Sequence, residues 1–227
     1  LQFEVGIQTF NDEVAARIRR RQDFVATETN LRWLLSHTGA YLHADLIMGL
    51  PGESLAGFAA GFDRLVGLGP QEIQVNMLKR LRGTPIGRHD AAFGMVYSEK
   101  PPYELMESRD LDRETVQRLQ RFARCWDIYA NSGNFMGSTP LLWVAGSPFA
   151  CFMDFSDAVF ARFGRTRAGQ PEELARVLWQ DISRGGRRDL PLFLRPHLPD
   201  EPIRARGLAG PRTLARQARR LADPLGN

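Results

Sequence analysis

The 227-residue chain is poor in cysteine, with only Cys125 and Cys151. Two cysteines are too few for a disulfide framework of the kind that stabilises small secreted domains, so free thiols in a cytoplasmic protein are expected. No apolar run approaches the ~20 residues of a membrane-spanning helix, and no secretory signal peptide opens the sequence. These absences argue against a disulfide-rich secreted domain and against a membrane protein.

The sequence also lacks an initiator methionine and enters a β-strand pattern at once. We therefore expect it to be a fragment of a longer protein, whose missing N-terminal part would be its first partner. Its composition is that of an ordinary globular chain, with 43% hydrophobic and 25% charged residues, which one large domain or two small ones would accommodate.

Acidic residues are outnumbered, and the net charge is +4. Much of the excess comes from arginine clusters, one at positions 17–21 and one in the tail from Arg204 to Arg220. Arginine runs can bind nucleic acid, but solvated faces and tails are commoner. A nucleic-acid-binding module that uses the tail is therefore kept as an alternative function, and a nucleic-acid partner is not expected.

Three short segments alternate between apolar and polar residues, as half-buried strands do. They cover positions 3–8, 42–48 and 72–77. The side chains that would share the polar face are Glu4, Gln8, His43, Asp45, Gln74 and Asn76. Because polar groups are costly to bury unless something satisfies them, this face is interpreted as the lining of a ligand cavity.

Helical segments separate the three strands. Asn11 and Ser54 are suited to cap two of these helices. Alternation of strand and helix predicts right-handed βαβ units with a parallel sheet. In a barrel or part-barrel of this kind the chemistry gathers at the C-terminal ends of the strands, where Gln8, Asp45 and Asn76 lie.

Strand signals stop near residue 92. Helical periodicity covers positions 111–130 and 172–182, with an apolar, aromatic run between them that is expected to be helical core. The sequence therefore predicts an α/β unit over 1–92 and a mainly α-helical C-terminal domain over 93–227. The stretch from Gly185 onward is rich in Arg, Pro and Gly and is expected to be partly disordered.

Three motifs carry a family resemblance: E-V-G-I-Q-T-F-N at 4–11, D-L-I-M-G-L-P-G-E at 45–53 and G-T-P at 83–85. In this order and spacing they resemble the second half of the partial TIM barrel of radical S-adenosylmethionine (SAM) enzymes. The likeness is to the branch that includes oxygen-independent coproporphyrinogen oxidases and cobalamin-dependent members. The helical remainder looks like the uncharacterised C-terminal domain of bacterial cobalamin-binding radical SAM proteins.

The resemblance implies a SAM-binding role for three residues. Gln8 would hydrogen-bond the ribose, since an amide both donates and accepts. Asp45 would be the second ribose ligand, because a carboxylate accepts hydrogen bonds from hydroxyl groups. Arg20, at the family's offset from Gln8, would hold the carboxylate of the methionine part through its guanidinium fork. There is an alternative for two of these residues. Backbone groups would form the hydrogen bonds of the Gln8 amide, and Arg20 would lie on a solvated helix face.

Further positions are implied more loosely. Glu4 would point into the same lumen and either meet the amino group of SAM or pair with Lys79. Gly49 and Pro51 belong to a turn that passes near the adenine in the family. His43 would either pair with Asp45 or be an ordinary core histidine, and the latter is the expectation.

The cluster ligands of the family are missing from this sequence. Radical SAM chemistry needs a 4Fe–4S cluster held by three cysteines in a CxxxCxxC loop. The two cysteines present are far apart, and no cobalamin-binding D-x-H-x-x-G segment occurs. No metal site is therefore predicted here, and the 4Fe–4S cluster and cobalamin are expected only in the full-length parent.

The predicted function is that of a fragment contributing the SAM-binding half of a radical SAM enzyme, inactive by itself. The parent would be an oxidoreductase that cleaves SAM reductively or a methyltransferase that acts through cobalamin, on a substrate that the sequence does not specify. A SAM-independent (β/α) barrel enzyme is a further alternative. The first strand would leave an open sheet edge, which predicts a homodimer or larger assembly, formed by pairing at that edge or by exchange of the first strand and its helix.

Overall fold

The computed structural model describes residues 1–144, 146–164 and 171–184. The predicted disorder from Gly185 onward and the arginine-rich tail from Arg204 to Arg220 lie outside these described residues. Among the described helices, none combines the length and the apolar character needed to cross a bilayer.

Three parallel strands form the central sheet in the order β1–β2–β3. They are β1 (Gln2–Gln8), β2 (Tyr41–Met48) and β3 (Glu72–Met77). Helices α1 (Asp12–Arg17) and α2 (Phe24–His37) connect β1 to β2, and α3 (Leu55–Leu68) connects β2 to β3. The predicted βαβ units and parallel sheet are confirmed.

Local side-chain chemistry sets the helix ends. Asn11 Oδ1 accepts hydrogen bonds from the backbone N–H groups of Glu13 and Val14, at 3.0 and 3.1 Å. Ser54 Oγ accepts one from Gly57 N at 3.1 Å, and α3 ends at Gly69 with a φ of 75°. Both predicted N-caps are therefore present, and each satisfies N–H groups that have no partner inside the helix.

The two faces of the sheet differ as the alternation predicts. Its apolar face is buried, with these side chains in the core: Ile7, Leu42, Ala44, Leu46, Met48, Ile73, Val75 and Met77. Phe3 is on the apolar side of the alternation but is 40% exposed, because it lies at the start of the edge strand. The opposite face carries the polar side chains and is only partly covered.

A short antiparallel ribbon follows the sheet, where the sequence predicts no further strands. It consists of β4 (Val96–Tyr97) and β5 (Leu105–Glu107). Backbone hydrogen bonds from Arg80 N to Tyr103 O and from Leu105 N to Leu78 O tie it to the chain leaving β3. Strands of two and three residues are too short to show an alternating pattern, so periodicity could not reveal them.

Helices make up most of the remainder. They are α4 (Asp90–Phe93), α5 (Arg113–Trp126), α6 (Pro148–Phe163) and α7 (Pro171–Arg184). Single 3₁₀ turns occupy Pro85–His89 and Thr139–Trp143, and a π-helical turn at Asp127–Asn131 extends α5. The predicted helices of the C-terminal part are therefore present.

An aromatic cluster joins the helices to the sheet layer. The ring of Phe62 on α3 lies 5.1 Å from Phe122, 4.7 Å from Trp126 and 6.0 Å from Phe149, in edge-to-face arrangements. Such pairs stabilise beyond the area that they bury. The buried core thus runs across position 92, and the division into domains at 92/93 stays a prediction.

The two outer edges of the sheet differ in their hydrogen-bond partners. At β3, Trp126 Nε1 donates to Ile73 O at 2.9 Å, and Ile73 N donates to Asn131 Oδ1 at 3.3 Å. These side chains replace a neighbouring strand. At β1, the described residues provide no strand on the outer side. The free edge of the sheet is therefore the β1 edge.

Candidate functional site

Gln8 ends β1 in a strained conformation. Its φ is 70°, in the left-handed region that non-glycine residues seldom adopt, and the pairing of β1 with β2 shifts between Gly6 and Gln8. A Cβ atom at Gly6 would lie 2.7 Å from Gln8 Nε2 and 3.6 Å from Arg20 Nη2. The space beside Gly6 is therefore taken by the Gln8 amide and the Arg20 guanidinium.

Arg20 of the basic cluster contacts the end of β1. Arg20 Nη2 donates to Gly6 O at 2.6 Å, and Gln22 Nε2 donates to the same oxygen at 3.1 Å. Arg20 is exposed, as are Arg19 and Arg21. Arg20 thus lies at the end of β1 together with Gln8, as the sequence interpretation requires, although the carboxylate that it would hold is a prediction.

Asp45 lies beside this group, because Asp45 of β2 pairs in register with Gly6 of β1. Its side chain is largely buried, and His43 Nε2 approaches Asp45 Oδ1 to 3.1 Å. Burial raises the pKa of the Asp45 carboxyl, the nearby His43 imidazole lowers it, and the Glu4 carboxylate raises it again. Asp45 is thus an acid whose ionisation depends on its two neighbours.

Two neighbours of Asp45 differ from their expected roles. His43 is on the polar face of β2 with its Nε2 3.1 Å from Asp45 Oδ1, which favours pairing with Asp45 over an ordinary core histidine. Within the described part of the chain Glu4 forms no ion pair with Lys79; it lies next to Asp45 instead. Glu4 is exposed, so its side chain is accessible to a ligand on this face.

The turn after β2 packs tightly against its surroundings. Gly49 has a φ of 83°, which favours glycine, and a Cβ there would also overlap the Leu105 side chain. Arg17 Nη1 donates to Pro51 O at 2.7 Å. Gly49 and Pro51 are themselves buried. A ligand at this turn would therefore contact mainly backbone atoms of the turn.

Sequence reasoning missed a buried acid at the end of this turn. Glu53 is 2% exposed, and Thr9 Oγ1 donates a hydrogen bond to Glu53 Oε1. Thr9 Oγ1 also accepts from Asn11 N at 3.0 Å. The pair joins the loop after β1 to the turn after β2, and so it holds the segments that carry Gln8 and Pro51 together.

Burial raises the pKa of Glu53 to about 7, although the hydrogen bond from Thr9 opposes this shift. The other carboxylate oxygen, Oε2, is buried without a hydrogen-bond partner among the described residues. Both Thr9 and Glu53 lie inside the recognised motifs. An acid directly before a helix cap usually faces solvent, however, so only the structure shows that Glu53 is buried.

No metal centre is found in the described ranges, where no three His, Cys, Asp or Glu side chains are grouped as ligands. Cys125 is buried in α5, and burial raises the pKa of its thiol to about 12. What the polar face provides is a carboxylate, an amide and a guanidinium within one region. This set suits a ligand with hydroxyl groups and an anionic group.

Two comparisons show which known proteins the chain is similar to. Residues 91–180 match the family described as "Protein of unknown function (DUF4080)". A segment of 71 residues is 34% identical to an oxygen-independent coproporphyrinogen III oxidase of Cereibacter sphaeroides. That segment is 31% of this chain and 16% of the relative, so the chain matches only a small part of that enzyme. That relative is an enzyme of the radical SAM family, and the similarity is limited to this segment.

Proposed function

We propose that the chain supplies the SAM-binding half of a radical SAM-type partial barrel. The observation that carries this proposal is the convergence of Gln8, Arg20 and Asp45 from two βα units at one end of the polar face. The left-handed φ of Gln8 adds support, since strained residues persist where the surrounding structure and function require them. The partial match to a coproporphyrinogen oxidase points to the same class.

The residues present fit the ribose and methionine parts of SAM. Asp45 Oδ1 is a buried acceptor without a hydrogen-bond partner in the described ranges, which a ribose hydroxyl would supply. Gln8 would bind the neighbouring hydroxyl through its amide, and Arg20 would bind the carboxylate of the methionine part. Gly49 and Pro51 would border the adenine, and Glu4 is available to the amino group.

The 4Fe–4S cluster does not fit this sequence, because only two cysteines are present and three thiolates are needed. We propose that another part of a longer protein holds the cluster, and cobalamin where it is used. SAM bound at the cluster would supply either a 5′-deoxyadenosyl radical or a methyl group. The role of the described residues is to bind SAM and fix its orientation. A cytoplasmic location is part of the same proposal.

The test is SAM binding and cleavage by the full-length protein that carries this sequence, with its cluster reconstituted anaerobically. We expect one SAM per chain by isothermal titration, and 5′-deoxyadenosine or a methylated product after reduction. ATP, which shares the adenosine part but lacks the methionine part, is the control ligand and should bind much more weakly. A reconstituted protein that binds no SAM would refute the proposal.

Gly6→Ala tests the packing of the site separately from its stability. The added Cβ would lie 2.7 Å from Gln8 Nε2, which is the end of a flexible side chain, so Gln8 moves while the strand persists. We expect SAM to bind about fivefold more weakly, as when one neutral hydrogen bond is lost, with little change in the unfolding midpoint. Gly67→Ala, where a Cβ meets nothing within 4 Å, is the matched control.

The free edge of β1 supports a proposal about assembly. Leu1 and Phe3 at this edge are 90% and 40% exposed, and an unpaired strand is a template for another chain. We propose that the isolated chain dimerises through β1. Light scattering should show a mass that rises with concentration, and Phe3→Lys should return it to that of a monomer. A monomer at every concentration would contradict this proposal.

A further inference from the structure

One row of polar side chains crosses all three strands next to Asp45, the residue proposed to bind the ribose of SAM. The register pairs Glu4 of β1 with His43 of β2, and His43 with Glu72 of β3. Asp45 lies two residues further along β2, on the same face. His43 is therefore flanked by a carboxylate from each neighbouring strand and by one from its own strand.

The distances connect these groups in a chain. Tyr41 Oη donates to Glu72 Oε2 at 3.0 Å, and Glu72 Oε1 lies 3.9 Å from His43 Nδ1. On the other side of the ring, His43 Nε2 lies 3.1 Å from Asp45 Oδ1. The His43 and Asp45 side chains are 15% and 13% exposed, so solvent screens this pair only weakly.

The contact between His43 and Asp45 is close but incompletely formed. Among the described residues, His43 Nε2 and Asp45 Oδ1 are buried and neither has a correctly oriented hydrogen bond. Buried polar atoms nearly always have a partner. A hydrogen bond from His43 to Asp45 Oδ1 would satisfy both atoms, and it would leave the second lone pair of Oδ1 and the other Asp45 oxygen to accept from ribose hydroxyls.

We propose that His43, held in place by Glu72 and Tyr41, is a positioning residue that keeps Asp45 ionised and oriented toward the ribose hydroxyls. The inference rests on the proposed function, because it takes Asp45 as a ribose ligand. It adds a residue chain that none of the sequence motifs includes, since His43, Glu72 and Tyr41 lie outside all three.

The charges around Asp45 predict opposite effects for two variants. The groups facing His43 are Glu4 from β1, Tyr41 and Asp45 from β2, and Glu72 from β3, with Asp127 beyond Glu72. The imidazole lowers the pKa of Asp45, so its removal raises that pKa. Glu4 raises the pKa of Asp45, so neutralising Glu4 lowers it.

The experiment measures SAM affinity from pH 5 to 8 in the full-length protein. For His43→Phe we expect Kd to rise roughly three- to tenfold, as for one lost hydrogen bond. The pH at which affinity falls on acidification should move upward, because Asp45 becomes protonated earlier. Glu4→Gln should move that pH downward. A residue that only supports the fold would not produce shifts of opposite sign.

Two further variants keep the test decisive. His43→Gln retains a donor to Asp45 but removes the imidazole that lowers the pKa of Asp45, so it should bind SAM nearly as tightly as wild type at pH 8 and still show the upward shift. If His43→Phe fails to fold, His43→Gln still tests the role of His43. His37→Gln makes the same exchange at the exposed end of α2 and should change neither quantity.

The outcomes separate this inference from the proposed function. If Asp45→Ala weakens SAM binding while His43→Phe and His43→Gln change neither Kd nor its pH dependence, the role of His43 is refuted and the SAM site stands. If Asp45→Ala also leaves SAM affinity unchanged, the proposed function itself is refuted.

Discussion

Glu53→Gln is expected to stabilise the folded chain at pH 8 by about 3 kcal/mol and to change its stability little at pH 4. The pKa of Glu53 is raised from 4.5 to about 7 by burial, and each unit corresponds to about 1.4 kcal/mol. The folded state therefore binds a proton that the unfolded state releases between these values. Stability falls as pH rises from about 4.5 to about 7 and is then constant.

Glutamine removes this penalty because it can still hydrogen-bond Thr9 and carries no charge. The measurement is urea denaturation of wild type and variant at pH 4, 6 and 8, taken as the difference between the two proteins at each pH. Glu99→Gln, the same exchange at an exposed position, should show almost no difference. A Glu53→Gln variant that is equally or less stable than wild type at pH 8 would show that the buried acid does not oppose folding.

Asp45→Ala is expected to weaken SAM binding in the full-length protein by roughly tenfold to over a hundredfold. Asp45 is a largely buried, ionisable acceptor, and a hydrogen bond to a charged group contributes about 1.5–3 kcal/mol. Gln8→Ala should weaken binding by only about fivefold, since its hydrogen bonds are neutral. The order of the two effects tests the roles assigned to these residues.

Isothermal titration of SAM into each variant gives the affinities, and thermal unfolding of the same samples shows whether the fold is retained. Asp45→Asn separates charge from shape, because it keeps the size of the side chain and should fall between wild type and alanine. Asp12→Ala, at the exposed start of α1, is the matched control and should bind as wild type does. Unchanged SAM affinity in Asp45→Ala would remove the basis of the site.

Much of the α/β unit could be predicted because its signals are local. Alternation over six or more residues identifies β2 and β3, and single side chains such as Asn11 and Ser54 mark helix starts. The ribbon of β4 and β5 could not be predicted, because its pairing depends on the chain that leaves β3. The exposure of Phe3 likewise depends on β1 lying at an edge, which periodicity does not reveal.

The candidate site divides in the same way. Motif spacing selects Gln8, Arg20 and Asp45, and the structure places all three at one end of the polar face. The contact of His43 with Asp45 was one of two alternatives from the sequence, because both residues lie on the same face of β2. The position of Glu4 beside Asp45 depends on the register between β1 and β2 and was not predictable. The burial of Glu53 depends on how Thr9 packs over it, which is a property of the folded chain alone.

The central claim is that the polar end of this sheet binds the ribose of SAM, and the most direct measurement is a crystal structure of the full-length protein with SAM bound. The account predicts that ribose hydroxyl oxygens lie about 2.5–3.2 Å from the Asp45 carboxylate and the Gln8 amide, with the SAM carboxylate on Arg20. SAM bound elsewhere in the protein, with Gln8, Arg20 and Asp45 free of contact to it, would contradict the account.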